Sequence, residues 1–511
     1  MVRNTLFLGL LPLLASASPL PVDSGAHLDP RAQSTFTDCL GAGKVPIIMQ
    51  SWSSFNTLAS PYNLRLKYKP SVIVIPTTTQ HISSTVKCAK QFRVKVSARG
   101  GGHSYSAQGL GGANGAAVID MQRFHDVVYD ASTELAQVGG GARLGNIARK
   151  LYDQAKRGIP HGTCPAVGMG HPSLGGFGIS SRYWGLMADQ IYQVEVVTAD
   201  GSIKTARKNY NGDLFWALKG AAPSFGIITK FWFKTYAVPE SIVNYSYSFT
   251  GLSVDQAAAA FIEIQNFAKS APKELGLGVS LWGNGVAFEL SGAYYGKSQQ
   301  DFDNMFQPLL GKLPAPSSST VNVKGWIDTL LRFAGNGGSL SVPEIGYNEH
   351  TTFYAKSLVT SQTSPLSLDS MKSFFNYAAN QGPGASNQGL PWFVIINLYG
   401  GGNSAINNPA LLNESSYGHR DSLWNFQFYT TMSNGLTTQS NTNALSFLNG
   451  FDQSVRRSWD AAYVNYADPT YSRADSHKLY YGGQYGKLQL VKKKYDRDQV
   501  FWYPQSIDPA A

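Results

Sequence analysis

Two glycine-rich runs constrain this chain more than any other feature. The first, Arg99-Gly100-Gly101-Gly102-His103-Ser104-Tyr105, follows a short strand signal at Val94-Lys95-Val96. The second extends from Gly162 to Gly178 and opens with His161-Gly162-Thr163-Cys164-Pro165. With no Cβ in the way, backbone N–H groups can approach an anion such as a phosphate closely. A dinucleotide fingerprint would instead need G-x-G-x-x-G opening a helix, with an acid about 20 residues further on. Nor is this a Walker loop, because no Gly-Lys-Ser/Thr follows. Glycine-rich turns also occur with no ligand, and a single His in one can be structural. Here, however, each run carries a nucleophile, His103 in one and Cys164 in the other. Two such groups converging on one electrophilic ring system would make a doubly tethered cofactor.

Around these runs strand and helix signals alternate. Val72-Ile73-Val74-Ile75 is a β-branched strand stopped by Pro76, and Thr79 is placed to cap a helix with Ile82, Val86 and Ala89 on one face. A strand at Ala117–Ile119 follows, then Gln137-Val138 leads through Gly139-Gly140-Gly141 into a helix bearing Leu144, Ile147, Ala148 and Leu151. Val194 to Ile203 reads as a hairpin with an Asp200-Gly201 turn. Past Pro239 the texture changes to long, partly alternating strands at 243–249, 287–295 and 392–399. Helices at 254–269 and 367–379 lie between them. That pattern predicts an antiparallel sheet backed by helices, an α+β domain. The tail is predicted to be helical again over 476–493.

The chain has 511 residues, of which 43% are hydrophobic and 14% charged. Disordered chains have the opposite balance, so most of this one should bury a core. The net charge of +10 comes from basic residues spread along the whole chain rather than gathered on one face, which argues against nucleic acid as partner. The tight run Lys492-Lys493-Lys494 reads as a solvated helix face. At the N-terminus, Arg3, the apolar run 6–14 and the small residues 15–18 have the order of a secretory signal peptide over 1–17. A pro-segment at 18–31 would follow, and the run is too short to span a bilayer. The expectation is a secreted protein, with possible glycan acceptors at Asn244 and Asn413, both in N-x-S sequons.

There are three cysteines. Cys39 and Cys88 sit in helical contexts and could pair as a structural bridge, and an odd count leaves one thiol without an internal partner. His161 and His171 near Cys164 invite a metal reading. No second Cys or acid sits at ligand spacing in the sequence, so no metal is expected.

At this point the sequence resembles a known family. The two glycine runs, the stretch Gly175-Gly176-Phe177-Gly178 to Arg182, Asp213 to Gly220, and Ser224-Phe225-Gly226-Ile227-Ile228-Thr229 are similar to vanillyl-alcohol-oxidase and berberine-bridge-like flavoproteins. So are the closing motifs Asn465-Tyr466-Ala467-Asp468, Lys487 to Gln489 and Lys493 to Asp496. Tyr417 to Trp424 with Gln427-Phe428-Tyr429 most resembles the secreted fungal oligosaccharide oxidases.

The resemblance implies a two-part FAD-binding domain over 32–238, a substrate domain over 239–458 and a C-terminal segment, 459–511, that returns to the FAD domain. It implies FAD attached twice, through His103 to the 8α-methyl and through Cys164 to C6, with Cys39–Cys88 as the bridge. Arg99, Gly100, Gly101, Gly102, Ser104, Gly168, Gly176, Gly178, Gly226 and Ile228 would contact the cofactor. The implied chemistry is oxidation of a C–H bearing a hydroxyl, with Tyr466 taking the hydroxyl proton beside Tyr105, and oxygen reduced to peroxide. An unperturbed tyrosine has a pKa near 10, so its phenolate needs support near neutral pH. Here the sequence departs from the family. Asn397 stands where relatives carry an assisting aspartate, Ile395 where some place a polar sugar-binding side chain, and Ser280 where a carboxylate is found. Gln427 matches the substrate side, with Phe393 next to it.

Three functions compete: a secreted oxidase of the anomeric hydroxyl of a reducing sugar, an oxidase of a secondary metabolite, and a carbohydrate-binding or structural protein that kept the fold and lost the flavin. The apolar Ile395 and Phe393 favour the second. Retention of His103, Cys164 and Tyr466 together argues against the third.

Overall fold

The computed structural model describes residues 35–283, 285–335, 339–347 and 349–511, so the signal peptide and pro-segment expected over 1–31 lie outside the described residues. Among the described residues three large sheets organise the chain, beside a two-stranded pairing of Arg157–Gly158 with Tyr236–Ala237. The first is four-stranded, in the order Ile47–Met49, Val72–Val74, Ala117–Asp120, Val96–Arg99. Its last three strands are parallel, which requires a crossover helix. Thr79–Gln91 supplies it, burying Ile82, Val86 and Ala89 against the sheet. The cap is Thr78 rather than Thr79: Thr78 has extended backbone and its hydroxyl accepts from the His81 amide at 3.3 Å, while Thr79 is already helical. Cys88 of this helix is bonded to Cys39 of helix Phe36–Ala42. In the chain-entropy picture, closing a loop of that length stabilises the fold by about 4 kcal/mol.

The second sheet, five-stranded and antiparallel, runs Val127–Asp130, Leu135–Gly139, Ile227–Lys234, Ile191–Val197, Ile203–Arg207. The third has seven antiparallel strands: Ser318–Lys324, Ile242–Phe249, Phe288–Tyr295, Leu275–Trp282, Trp392–Leu398, Ser422–Thr431, Phe353–Ser361. Successive side chains of a strand point to opposite faces. Val279, Leu281, Val394, Ile396, Phe426 and Phe428 therefore pack with Phe261, Phe374 and Leu448 of the backing helices. Gly278, Ser280, Ile395, Asn397 and Gln427 point the other way, into a cavity.

The part of the chain that carries the first two sheets and the part that carries the third are joined by Arg182. Its guanidinium, buried in the first part, donates to the carbonyls of Gly400 (2.9 Å), Pro272 (2.8 Å), Ala271 (2.9 Å) and Leu275 in the second.

Three further expectations are corrected. The helix expected to end near 379 continues to Asn387 through Pro383. There Gly382 leaves room for the Trp392 ring, whose indole N–H donates to the Gly382 carbonyl at 2.9 Å. The expected C-terminal helix is two helices, Arg473–Tyr481 and Tyr485–Tyr495, broken where Gly482 takes φ +49°. Lys492 is not solvated. It is fully buried, and its ammonium donates to Asp496 (2.5 Å) and to the carbonyls of Ser224 (2.6 Å) and Phe501 (3.0 Å).

Candidate active site

The two glycine runs, far apart in sequence, touch. A Cβ on Gly101 would land on the Gly168 amide, and one on Gly168 would land on the Gly101 amide, so only glycine permits this approach. Arg143 clamps the junction, donating to the carbonyls of Gly101 (2.5 Å) and Ala166 (3.2 Å). The contact brings the two nucleophiles together. A ring nitrogen of His103, Cys164 Sγ and a carboxylate oxygen of Glu349 all lie within 4.8 Å of one another. Glu349 has no sequence signal. It arrives from a distant loop, and nothing in the spacing of single acids could have found it.

Both nucleophiles line a cavity of about 460 Å³, within the usual range for ligand pockets. Its other walls are the inward face of the large sheet (Gly278, Ser280, Ile395, Asn397, Gln427) and the C-terminal residues Tyr463, Asn465 and Tyr466. Gly100, Gly101, Gly102, Ser104, Gly168 and Gly178 line it as well. Gly226 and Ile228 line an adjoining space of about 80 Å³ that shares Gly100 and Gly170 with the main cavity. Arg99 reaches the wall, yet it is also spent on structure, bonding Asp120 at 2.6 Å and the Leu58 carbonyl. Two expected contacts stand apart from the cavity wall. Gly176 makes a positive-φ turn whose N–H donates to Tyr463 at 3.0 Å. Phe393 stacks on Tyr429 with centroids 4.8 Å apart.

The site is rich in tyrosine. Tyr105 stacks on Tyr466 (5.7 Å) and on Tyr62 (6.2 Å), and Tyr62 lies over the His103 ring (4.5 Å). The Gln427 amide donates to Tyr105 Oη at 2.7 Å. Tyr463 is fixed, its hydroxyl accepting from the amides of Gly176 and Phe177 and from Asn465. Two residues after Tyr466, Asp468 anchors the strand end by pairing with Lys356 (2.7 Å) and accepting from Tyr354 (2.9 Å). That buried pair explains the aspartate in the Asn465–Asp468 motif, a role the sequence did not reveal.

Electrostatics follow from burial. Desolvation first, then the Arg143 guanidinium nearby, lower the His103 pKa to about 3, so the imidazole is neutral and its lone pair is free to attack. Burial, then the Glu349 carboxylate, push the Cys164 thiol up to about 11. Burial first and Tyr463 second hold the Tyr466 hydroxyl above its ordinary value. Asn397 Oδ1 sits over Gly278, where an added Cβ would come within 3.1 Å.

One expected glycan site is corrected here. Asn244 is buried in a central strand, and its amide donates to Thr329 Oγ1 at 2.8 Å, so it cannot carry a glycan in the folded protein. Asn413 is exposed.

Comparison with known proteins gives the class. The family described as FAD binding domain matches residues 70–207, and that described as berberine and berberine like matches residues 462–508. The fold is thus a two-part FAD-binding domain of the vanillyl-alcohol-oxidase type with a substrate domain built on a large antiparallel sheet. The xylooligosaccharide oxidase of Thermothelomyces thermophilus is 35% identical over 98% of this chain and 99% of its own length. The chitooligosaccharide oxidase of Gibberella zeae is 34% identical over 99% of each. A solved glucooligosaccharide oxidase of Acremonium strictum superposes with a TM-score of 0.87 at 32% identity, covering 93% of this chain and 98% of that one. The chain belongs to this family of oligosaccharide oxidases, and it is an FAD-dependent oxidoreductase acting on CH–OH groups.

The residues fit the cofactor. Gly100, Gly101 and Gly102 present backbone without a Cβ to the cavity, which suits close approach of a diphosphate, and the Tyr347 ring packs against Gly102. Arg99 and Arg143 border the space at this loop, each with a buried Nε that has no hydrogen-bond partner among the described residues.

Proposed function

We propose that this protein carries FAD attached at His103 Nδ1 and Cys164 Sγ and oxidises the anomeric C1 hydroxyl of a reducing oligosaccharide to the lactone, with oxygen reduced to hydrogen peroxide. The observation that carries the reading is the meeting of His103 and Cys164 within 4.8 Å at the wall of the tyrosine-lined cavity. The 8α-methyl and C6 belong to one six-membered ring, so a single ring can reach both nucleophiles. An Acremonium strictum glucooligosaccharide oxidase is described as holding 6-S-cysteinyl, 8α-N1-histidyl FAD, which supports the same attachment here.

When bound, FAD supplies the two-electron acceptor that no side chain provides. The protein supplies the rest. Tyr466 accepts the C1 hydroxyl proton, Tyr105 stacks against it and fixes its ring, and Gln427 holds Tyr105 and reaches the sugar's hydroxyls. Asn397 can donate to a phenolate and orient it, but it cannot take its proton as a carboxylate would. Ser280 offers a small hydroxyl on the same face. Tryptic peptides carrying FAD at both residues, together with peroxide release from cellobiose, xylobiose or chitobiose, test the reading. A protein that releases peroxide only from aromatic or allylic alcohols would fail it.

Such a failure would favour oxidation of an apolar secondary metabolite. That second reading is supported by Ile395, an apolar side chain at the centre of the cavity face.

Secretion is part of the proposal, supported by the apolar run at 6–14 and by the Cys39–Cys88 bond, which suits an oxidising compartment. N-terminal sequencing of protein from culture medium tests it.

A further inference from the structure

We propose that Glu349 prepares His103 for attachment: its carboxylate holds the proton on Nε2, leaves Nδ1 as the nucleophile, and takes the Nε2 proton as the Nδ1–carbon bond forms. This rests on the doubly attached reading above.

Glu349 Oε2 lies 3.8 Å from His103 Nε2, with the Glu349 side chain about half exposed and the imidazole mostly buried beneath it. The loop that carries it is pinned on both sides. Before it, Tyr347 donates to Asp120 (2.6 Å) and to the Gly100 carbonyl (3.1 Å), with its ring 4.0 Å from the Arg99 guanidinium. After it, the Thr351 amide donates to the Tyr62 carbonyl (2.8 Å) and the Thr351 carbonyl accepts from Leu64 (3.0 Å). Glu349 is therefore held over the glycine loop by contacts with the FAD-binding part, although it lies in the segment of the substrate sheet.

A neutral imidazole has one N–H and one lone pair. A carboxylate beside one ring nitrogen fixes the N–H there and makes the other nitrogen more basic. In the attachment, one methyl C–H bond breaks and one Nδ1–C bond forms. Alkylation at Nδ1 would leave the ring cationic, and transfer of the Nε2 proton to Glu349 prevents that. Overall two electrons and two protons leave, and molecular oxygen takes them as hydrogen peroxide.

The same carboxylate works against Cys164, because a negative charge opposes the thiolate that is the reactive form. The two attachments should thus respond to Glu349 in opposite senses, which a merely structural residue would not produce.

The full-length protein, Glu349→Gln and Glu349→Asp are expressed and digested with trypsin. A doubly attached FAD releases peptides 100–123 and 158–182 cross-linked through one flavin. Loss of the His103 bond releases peptide 100–123 free and peptide 158–182 carrying FAD alone, and these species are weighed. In Glu349→Gln the FAD adduct on peptide 100–123 should fall at least tenfold relative to the unsubstituted protein, while peptide 158–182 stays modified. Glu349→Asp should restore the first adduct. Wild-type levels of the adduct on peptide 100–123 in Glu349→Gln would overturn the assignment, and so would parallel loss from both peptides. If the unsubstituted protein itself lacks the adduct on peptide 100–123, the doubly attached reading fails first, and the two failures are told apart.

Discussion

Gly101 and Gly168 meet backbone to backbone, each occupying the space the other's side chain would need. This contact brings together the two loops that carry His103 and Cys164. Gly101→Ala or Gly168→Ala should therefore push the loops apart, abolish both flavin adducts and destabilise the fold by roughly 1–3 kcal/mol. Gly486→Ala, in helix Tyr485–Tyr495 and away from the cavity, is the control, since a Cβ there meets nothing within 4 Å. Mass spectrometry of the two peptides and thermal denaturation read the outcome. Intact double attachment in Gly168→Ala would show that the contact does not set the geometry.

Tyr466→Phe keeps the ring stacked on Tyr105 and removes only the hydroxyl. Rapid-mixing kinetics should then find flavin reduction by substrate slowed on the order of 10²–10⁴-fold, with reoxidation by oxygen near wild type. An unchanged reduction rate would remove Tyr466 from the role of base.

Burial and Tyr463 both raise the Tyr466 pKa, and a base works only in its deprotonated form, so kcat/KM should climb with pH through the neutral range into the alkaline one. Asn397 cannot relieve this, because an amide does not take a proton. Asn397→Asp adds a carboxylate to the same wall. It should raise kcat/KM near pH 6 by about tenfold and flatten the profile. Superimposable profiles would mean that residue 397 does not communicate with the tyrosine.

Lys492→Ala strands the fully buried Asp496 carboxylate without its cation, a loss of about 3–5 kcal/mol. Replacing the pair together by apolar residues of similar volume should cost less than the single change. Chemical denaturation of the single and double variants decides it, and a Lys492→Ala loss below that of an exposed pair would show the ammonium to be dispensable.

Of the two sequons, Asn413→Gln should lower the mass of protein from a glycosylating host by one glycan, and Asn244→Gln should not change it. Amide donation from Asn244 to Thr329 in a buried strand is the reason.

Much of this was legible in the residues. The strand at Val72–Val74, the Asp200-Gly201 hairpin and the alternation along Trp392–Leu398 are local patterns, and they hold. The strand expected at Val94–Val96 instead lies further on, at Val96–Arg99, where it pairs with Ala117–Asp120. His103 and Cys164 stood out because unusual glycine runs surround them. What stayed hidden depends on distant partners. Lys492 reads as surface because a lysine run normally is, and only the approach of Ser224 and Phe501 buries it. Glu349 is one acid among many until the Tyr347 and Thr351 anchors carry it to the nucleophiles. Gly176 resembles its loop neighbours in sequence, but its positive φ serves the turn rather than the wall.

The hydrogen bonds of the Arg182 guanidinium described above run to carbonyls across the boundary between lobes. If the lobes parted, a cation would be left unpaired in an apolar interior, at a penalty large beside ordinary local opening. Heating should thus melt the molecule in a single cooperative transition instead of lobe by lobe. Half-open forms would be rare, and a protease would find few places to begin.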